Sequence, residues 1–209
     1  MWRKLFLAII GVTFAIGILF ISLFRVASVK YEFGNSATVY DTEASGEGGV
    51  KIDYALPYPG RVLPDSPLWP LKAIRDRVWL FITTNSTREA ELKLLFADKR
   101  LGMAQILFEK GEIEKGFSTL TKAEKYLEQA KWQEKQNRDK GIDTSIFLEQ
   151  LAKASLKHFQ VMEQLVVNVP EEVKPSVRQS QDYAKGAYED SRNALLEKGK
   201  PAPENPFTW

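Results

Sequence analysis

The sequence predicts an all-α protein: a single N-terminal transmembrane helix, a flexible linker and an antiparallel bundle of four to five helices. Three observations predict it. The run Leu5 to Phe24 holds no charged side chain. The stretch that follows is rich in Gly, Ser, Thr and Asp and has no period. From Leu63 onward, apolar residues recur every three or four positions, the spacing of one helix face. A chain of 209 residues suits one modest domain plus an anchor. The expected divisions are an anchor at 1–26, a linker at 27–62, a bundle at 63–198 and a Pro-rich tail at 199–209.

The apolar run 5–24 is long enough to cross ~30 Å of hydrocarbon as a helix. A cleaved signal peptide would carry a shorter apolar core and small residues at its cleavage site; here Arg25-Val-Ala-Ser-Val follows. The run therefore reads as an uncleaved, single-pass membrane anchor. Arg3 and Lys4 precede it, and Arg25 and Lys30 follow it. The two sides differ only by the free amino terminus, which sets the N-terminus cytoplasmic and the remainder extracytoplasmic. The linker cannot bury enough apolar area to offset its ordering entropy. Val50-Lys-Ile-Asp-Tyr is its one candidate extended piece.

Five helices follow. The first is expected from Ser66-Pro67 to about Ile82, with Ser66 as cap and Pro67 at a position needing no N–H. Its stripe is Leu68, Leu71, Ile74, Val78 and Phe81. The second starts at Ser86, where Glu89 completes a capping box. It buries Ala90, Leu94, Ala97, Leu101, Ala104 and Phe108 and stops at Gly111. The sequon Asn85-Ser-Thr falls at this helix start, where capping explains it. The third runs from about Glu112 to Arg138 on Ile113, Phe117, Leu120, Leu127 and Ala130. Its polar end, Lys131 to Lys140, is expected to project into solvent. The fourth, from Asp143 or Thr144 to before Pro170, carries Leu148, Ala152, Ser155, Phe159, Met162 and Val166. The fifth, about Pro170 to Lys198, presents Val173, Val177, Ser180, Ala184, Ala187, Ser191 and Ala194, a small-residue face suited to close approach. Short connections imply antiparallel neighbours. The turn at Glu109-Lys-Gly-Glu is similar to a tetratricopeptide hairpin, but no second copy occurs at a 34-residue period.

One stretch is more specific. Leu56-Pro-Tyr-Pro-Gly-Arg-Val-Leu-Pro-Asp-Ser-Pro-Leu-Trp-Pro-Leu-Lys is followed by Arg75-Asp-Arg, then by Glu89-Ala-Glu-Leu and Ala97-Asp-Lys-Arg-Leu. Over residues 56–165 this resembles an uncharacterised bacterial family, a domain of unknown function with a Leu-Pro-Asp-Ser-Pro entry into a helical bundle. Members are often anchored by one N-terminal membrane helix. The resemblance implies a prokaryotic envelope protein and carries over no activity, cofactor or catalytic residue.

The chemistry-bearing residues are few. There is no cysteine, which excludes disulfides, thiolate metal sites and cysteine nucleophiles. Setting aside Arg3, Lys4, Arg25 and Lys30, residues 31–209 hold 25 basic and 27 acidic residues and carry about −2. No nucleic-acid partner is expected from such a balance. The single histidine, His158, is read as a solvated or bundle-edge residue. Glu109, Glu112 and Glu114 read as a solvated turn. No phosphate-binding loop, nucleophile elbow or metal spacing occurs, so no catalytic residue, metal or cofactor is expected. The candidates for partner or membrane contact are Trp69, Lys72, Arg75, Arg77 and Trp79 on the first helix, with Trp132 on the third. A basic helix bearing aromatic rings suits an anionic membrane surface; on the other reading its aromatic rings are core and its charges solvated. The reading is a non-enzymatic, membrane-tethered extracytoplasmic interaction or scaffold module, held in the membrane through residues 5–24 and contacting a protein partner. The alternative is an envelope sensor or chaperone-like ligand-binding bundle.

Overall fold

The helical spacing becomes five helices: α1 (Trp69–Ile82), α2 (Ser86–Glu109), α3 (Ile113–Asp139), α4 (Ser145–Asn168) and α5 (Lys174–Glu197). The computed structural model describes residues 51–209, together with Trp2 and Phe6. Those two residues aside, the expected anchor and linker residues up to 50 lie outside the described residues. Among the described residues no helix is long and apolar enough to cross a membrane, and there is no strand.

The connections obey the turn chemistry. Gly111 and Gly141 adopt φ of 75° and 79°, where any side chain would be strained. The backbone N–H of Glu112 then returns to Leu107 O at 2.9 Å, and that of Ile142 to Asn137 O at 3.1 Å, closing the helix ends. The expected capping box at Ser86 is not formed. Asn85 caps α2, its Oδ1 accepting from Arg88 N at 2.9 Å, while Glu89 pairs with Lys93 at 2.7 Å.

Helices α2 and α3 form one antiparallel hairpin, and α4 and α5 another. Asn137 Nδ2 donates to Ser86 O at 3.0 Å, and Gln181 Nε2 to Glu163 Oε1 at 2.6 Å. The hairpins meet through α3 and α5, which run parallel: Lys131–Asp190 (2.9 Å) is followed by Arg138–Glu197 (3.9 Å). The faces expected for α2, α4 and α5 line the core. Leu94, Ala97, Leu101, Leu120, Leu127, Leu151, Met162, Val177 and Ala184 are fully buried.

Four further expectations are corrected. First, α1 begins at Trp69, after turns in which Ser66 Oγ accepts from Leu68 N at 3.3 Å. Its expected core stripe faces outward: Leu68, Leu71, Ile74, Val78 and Phe81 are all exposed. The opposite face packs inward because it offers more partners. There Asp76 is buried between arginines, and Trp79 meets Phe96 of α2 edge-on at 6.0 Å. Second, the polar end of α3 is docked rather than projecting. Gln133, Glu134 and Asn137 are buried. Gln133 Oε1 accepts from Lys93 Nζ at 3.0 Å. Glu134 Oε1 accepts from Thr144 Oγ1 at 2.6 Å and from Arg138 Nε at 3.1 Å. Third, residues 51–62 are not a loose tether, since Tyr54, Pro57 and Pro59 are buried. Fourth, the tail returns to the bundle, where Phe207 and Trp209 pack on Phe159.

Candidate functional site

Two groups of polar side chains stand apart from ordinary surface charge. The first lies in the core. Asp98 of α2, Glu124 of α3 and His158 of α4 are fully buried. His158 Nδ1 lies 2.7 Å from Glu124 Oε1, and Nε2 lies 3.0 Å from Asp98 Oδ1. Tyr54 Oη donates to the other Asp98 oxygen at 2.6 Å, so the entry segment joins the network. Burial alone would lower the histidine pKa. The Glu124 charge and hydrogen bonds to both carboxylates outweigh it and raise the pKa to about 9. The ring is therefore an imidazolium at neutral pH, donating from both nitrogens. The reading of His158 as a bundle-edge residue is corrected: it bridges α2, α3 and α4 with no exposed surface. Among the described residues Glu124 Oε2 has no hydrogen-bond partner. Sealed in this way, the network fixes helix register and offers a substrate no approach.

The second group surrounds a cavity of about 130 Å³ between the entry segment, α1 and α2. Four cations line it: Lys72 and Arg75 of α1, and Lys99 and Arg100 of α2. The one carboxylate is Asp76. Arg75 Nη2 reaches Asp76 Oδ1 at 2.6 Å, and Arg100 Nη2 lies 3.9 Å from Oδ2. Lys72 Nζ donates to the carbonyls of Pro59 (3.0 Å) and Val62 (2.9 Å), tying α1 to the Pro-rich entry. Gly60 lets the chain pass here at φ 93°, and a Cβ would come within 3.2 Å of that ammonium. Burial pushes the Lys72 pKa down to about 8 and lowers those of Lys99 and Arg100. The Arg100 guanidinium lies 4.4 Å from the Tyr126 ring centroid and 5.5 Å from that of Phe96, which holds its plane in place.

Of the contact candidates on α1, three line this cavity: Lys72, Arg75 and Trp79. Trp69 is half-buried, with Lys72 Nζ 5.4 Å from its ring centroid. Arg77 is exposed. Trp132 belongs elsewhere: exposed on α3, it lines an open cleft of about 400 Å³ against α5 with Asp190 and Glu197. The sequence reading missed Asp76, Lys99 and Arg100, which look like ordinary helix-surface charges in an isolated pattern. It also missed Asp98 and Glu124, although both interrupt an apolar face at core spacing. Among the described residues, no group of three or more His, Cys, Asp or Glu could hold a metal ion.

No curated protein and no solved structure matches the chain. A family match covers residues 61–172, which include α1 to α4; α5 and the returning tail lie beyond it. Since that stretch spans more than half of the sequence, the chain belongs to the family described as Domain of unknown function (DUF5667).

Proposed function

We propose that the protein is a membrane-tethered, extracytoplasmic helical interaction module without catalytic activity, meeting its partner through the outward face of α1. The carrying observation is that face. Leu71 is 67% exposed, Ile74 58% and Phe81 89%, with Leu68 and Val78 beside them. Scattered apolar side chains at a surface are ordinary, but four on one face of α1, with Leu68 at its N-cap, make a patch of the kind found at contact sites. The uncharged run 5–24 supports the tether. A second reading, an envelope sensor or chaperone-like ligand-binding bundle, draws on the α3–α5 cleft, whose volume of about 400 Å³ suits a small ligand.

The test places a photo-crosslinking amino acid at Phe81, and separately at Trp132, in the full chain in its native membranes. A discrete protein adduct from position 81, abolished by Ile74→Ser, is expected. No adduct at 81 overturns the α1 reading; an adduct from 132 alone moves the contact to the cleft. Topology is read in the same cells. The chain has no cysteine, so Ser45→Cys should react with an impermeant maleimide before lysis. Reaction only after lysis reverses the assigned side.

A further inference from the structure

We propose that the cavity between the entry segment, α1 and α2 is a binding site for a phosphate oxyanion, either free or carried by a lipid headgroup. Four cations face one carboxylate across a space of about 130 Å³. Asp76 satisfies Arg75 at 2.6 Å, but Arg100 stands 3.9 Å away. Arg100 is 6% exposed; its Nη1 donates to Phe96 O at 3.5 Å, and its enclosed Nε has no hydrogen-bond partner among the described residues. Lys99, for its part, enters no hydrogen bond or ion pair within contact distance among the described residues. Collecting like charges in a partly dry space is costly. The chain holds them in place nonetheless, with Lys72 fixed by two carbonyls and Arg100 set against Tyr126. An oxyanion bearing one or two negative charges would relieve that repulsion and give Lys99 a partner.

Size and chemistry narrow the class. At ~30 Å³ per water, the cavity has the volume of a few waters. That admits a tetrahedral anion and excludes a nucleotide. Guanidinium forks and ammonium groups together are the usual partners of phosphate oxygens. The cavity lining holds no cation beyond these four, too short a run for a nucleic-acid backbone. Arg75 stands at the rim, directly after Ile74 of the outward apolar face. A phosphate carried by a lipid headgroup of the membrane that holds the anchor would enter by that rim. The lipid source rests on the tethered-module reading; the anion site itself does not.

Titration calorimetry on the full chain in a nonionic detergent tests this, with inorganic phosphate in one arm and dihexanoyl-phosphatidylglycerol in the other. Saturable binding in at least one arm is expected. Lys99→Met should weaken it by at least about tenfold, the worth of one charge-assisted hydrogen bond. Arg75→Gln, at an exposed position, provides a second variant, and Arg192→Gln on α5 should change nothing. Lipid binding without phosphate binding assigns a headgroup, and binding of phosphate assigns the free ion; both support the site. The absence of saturable binding in both arms overturns the proposal. Lys99→Met and Arg75→Gln variants that keep their helical melting and bind like the parent overturn it equally. Phosphate binding that persists while position 81 yields no adduct would sink the tethered-contact reading alone.

Discussion

His158 is enclosed by Asp98 from α2 and Glu124 from α3, with Tyr54 of the entry segment on the far side of Asp98. No water-exposed surface is left to any of the three charged groups. Removing the cation would strand two carboxylates in the core, so His158→Gln is expected to cost roughly 3–5 kcal/mol, the usual penalty for breaking a buried pair. Chemical unfolding followed by helical circular dichroism checks it. The folded pKa of about 9 stands above the ordinary 6.5, so the stabilisation is complete below 6.5 and is lost as pH rises toward 9. Lys72 acts in the opposite sense, because its pKa falls to about 8 on folding; its contribution improves with pH above 8. The window from 6.5 to 8 therefore isolates the histidine. Stability should fall across it in the parent and stay nearly level in His158→Gln, and a parent with flat stability there would refute the charged assignment. Each member of this network was partly legible in the sequence. Asp98 lies four residues after Leu94 and three before Leu101. Glu124 holds the same place between Leu120 and Leu127, and His158 lies three after Ser155 and four before Met162. Periodicity thus marks each as a charge on a buried face. It does not say that the three faces meet at one level, because that depends on how the hairpins dock.

Among the elements, α1 separates pattern from packing. Its aliphatic stripe obeys the helical period as well as those of α2, α4 and α5, yet only the latter three are buried. The difference is that α1 has two eligible faces. One carries Leu71, Ile74, Val78 and Phe81; the other carries Trp69, Asp76, Trp79 and Leu80. The second face wins because Asp76 finds Arg75 and Arg100, Lys72 finds two carbonyls, and Trp79 and Leu80 find the Leu92, Leu95 and Phe96 cluster. None of those partners lies on α1, apart from Arg75, so the helix alone could not reveal the choice. The end of α3 is a similar case, its polar residues buried by bonds to Ser86, Lys93 and Thr144 of other segments. This has a consequence opposite to the hydrophobic pattern. Leu71→Ser and Phe81→Ser should each change folding stability by less than about 0.5 kcal/mol, as surface substitutions do. Trp79→Ala should cost roughly 1–3 kcal/mol through lost aromatic packing. Thermal melts of the three variants decide it; a large loss in Phe81→Ser would mean that the stripe is covered within the chain.

In the molecule as a whole, the segments flanking the helices close on the same face of the α4–α5 hairpin. Trp209 lies 4.1 Å from Phe159 between ring centroids and stacks on Phe207 at 5.3 Å, with the planes 11° apart. Tyr188 meets Trp209 edge-on at 6.1 Å and donates from Oη to Pro203 O at 2.8 Å. Ile52 packs against the same cluster of Ala152, Leu156 and Tyr188, two residues before Tyr54 enters the buried histidine network. The returning tail thus supports the entry segment, and the entry segment in turn supports the charged core. Three prolines in a short run read as an unstructured tail in sequence, because only the bundle supplies the surface that Phe207 and Trp209 cover. The coupling predicts a non-local effect. Phe207→Ala combined with Trp209→Ala should lower stability by roughly 2–4 kcal/mol, since the aromatic area and ring contacts of both residues are lost. Amide exchange should then rise in residues 51–56 as well as in 200–209, while the α2–α3 hairpin keeps its protection. Hydrogen exchange read by mass spectrometry separates the outcomes: faster exchange confined to 200–209 would show that the tail and the entry segment are held independently, and that the tail does not support the charged core.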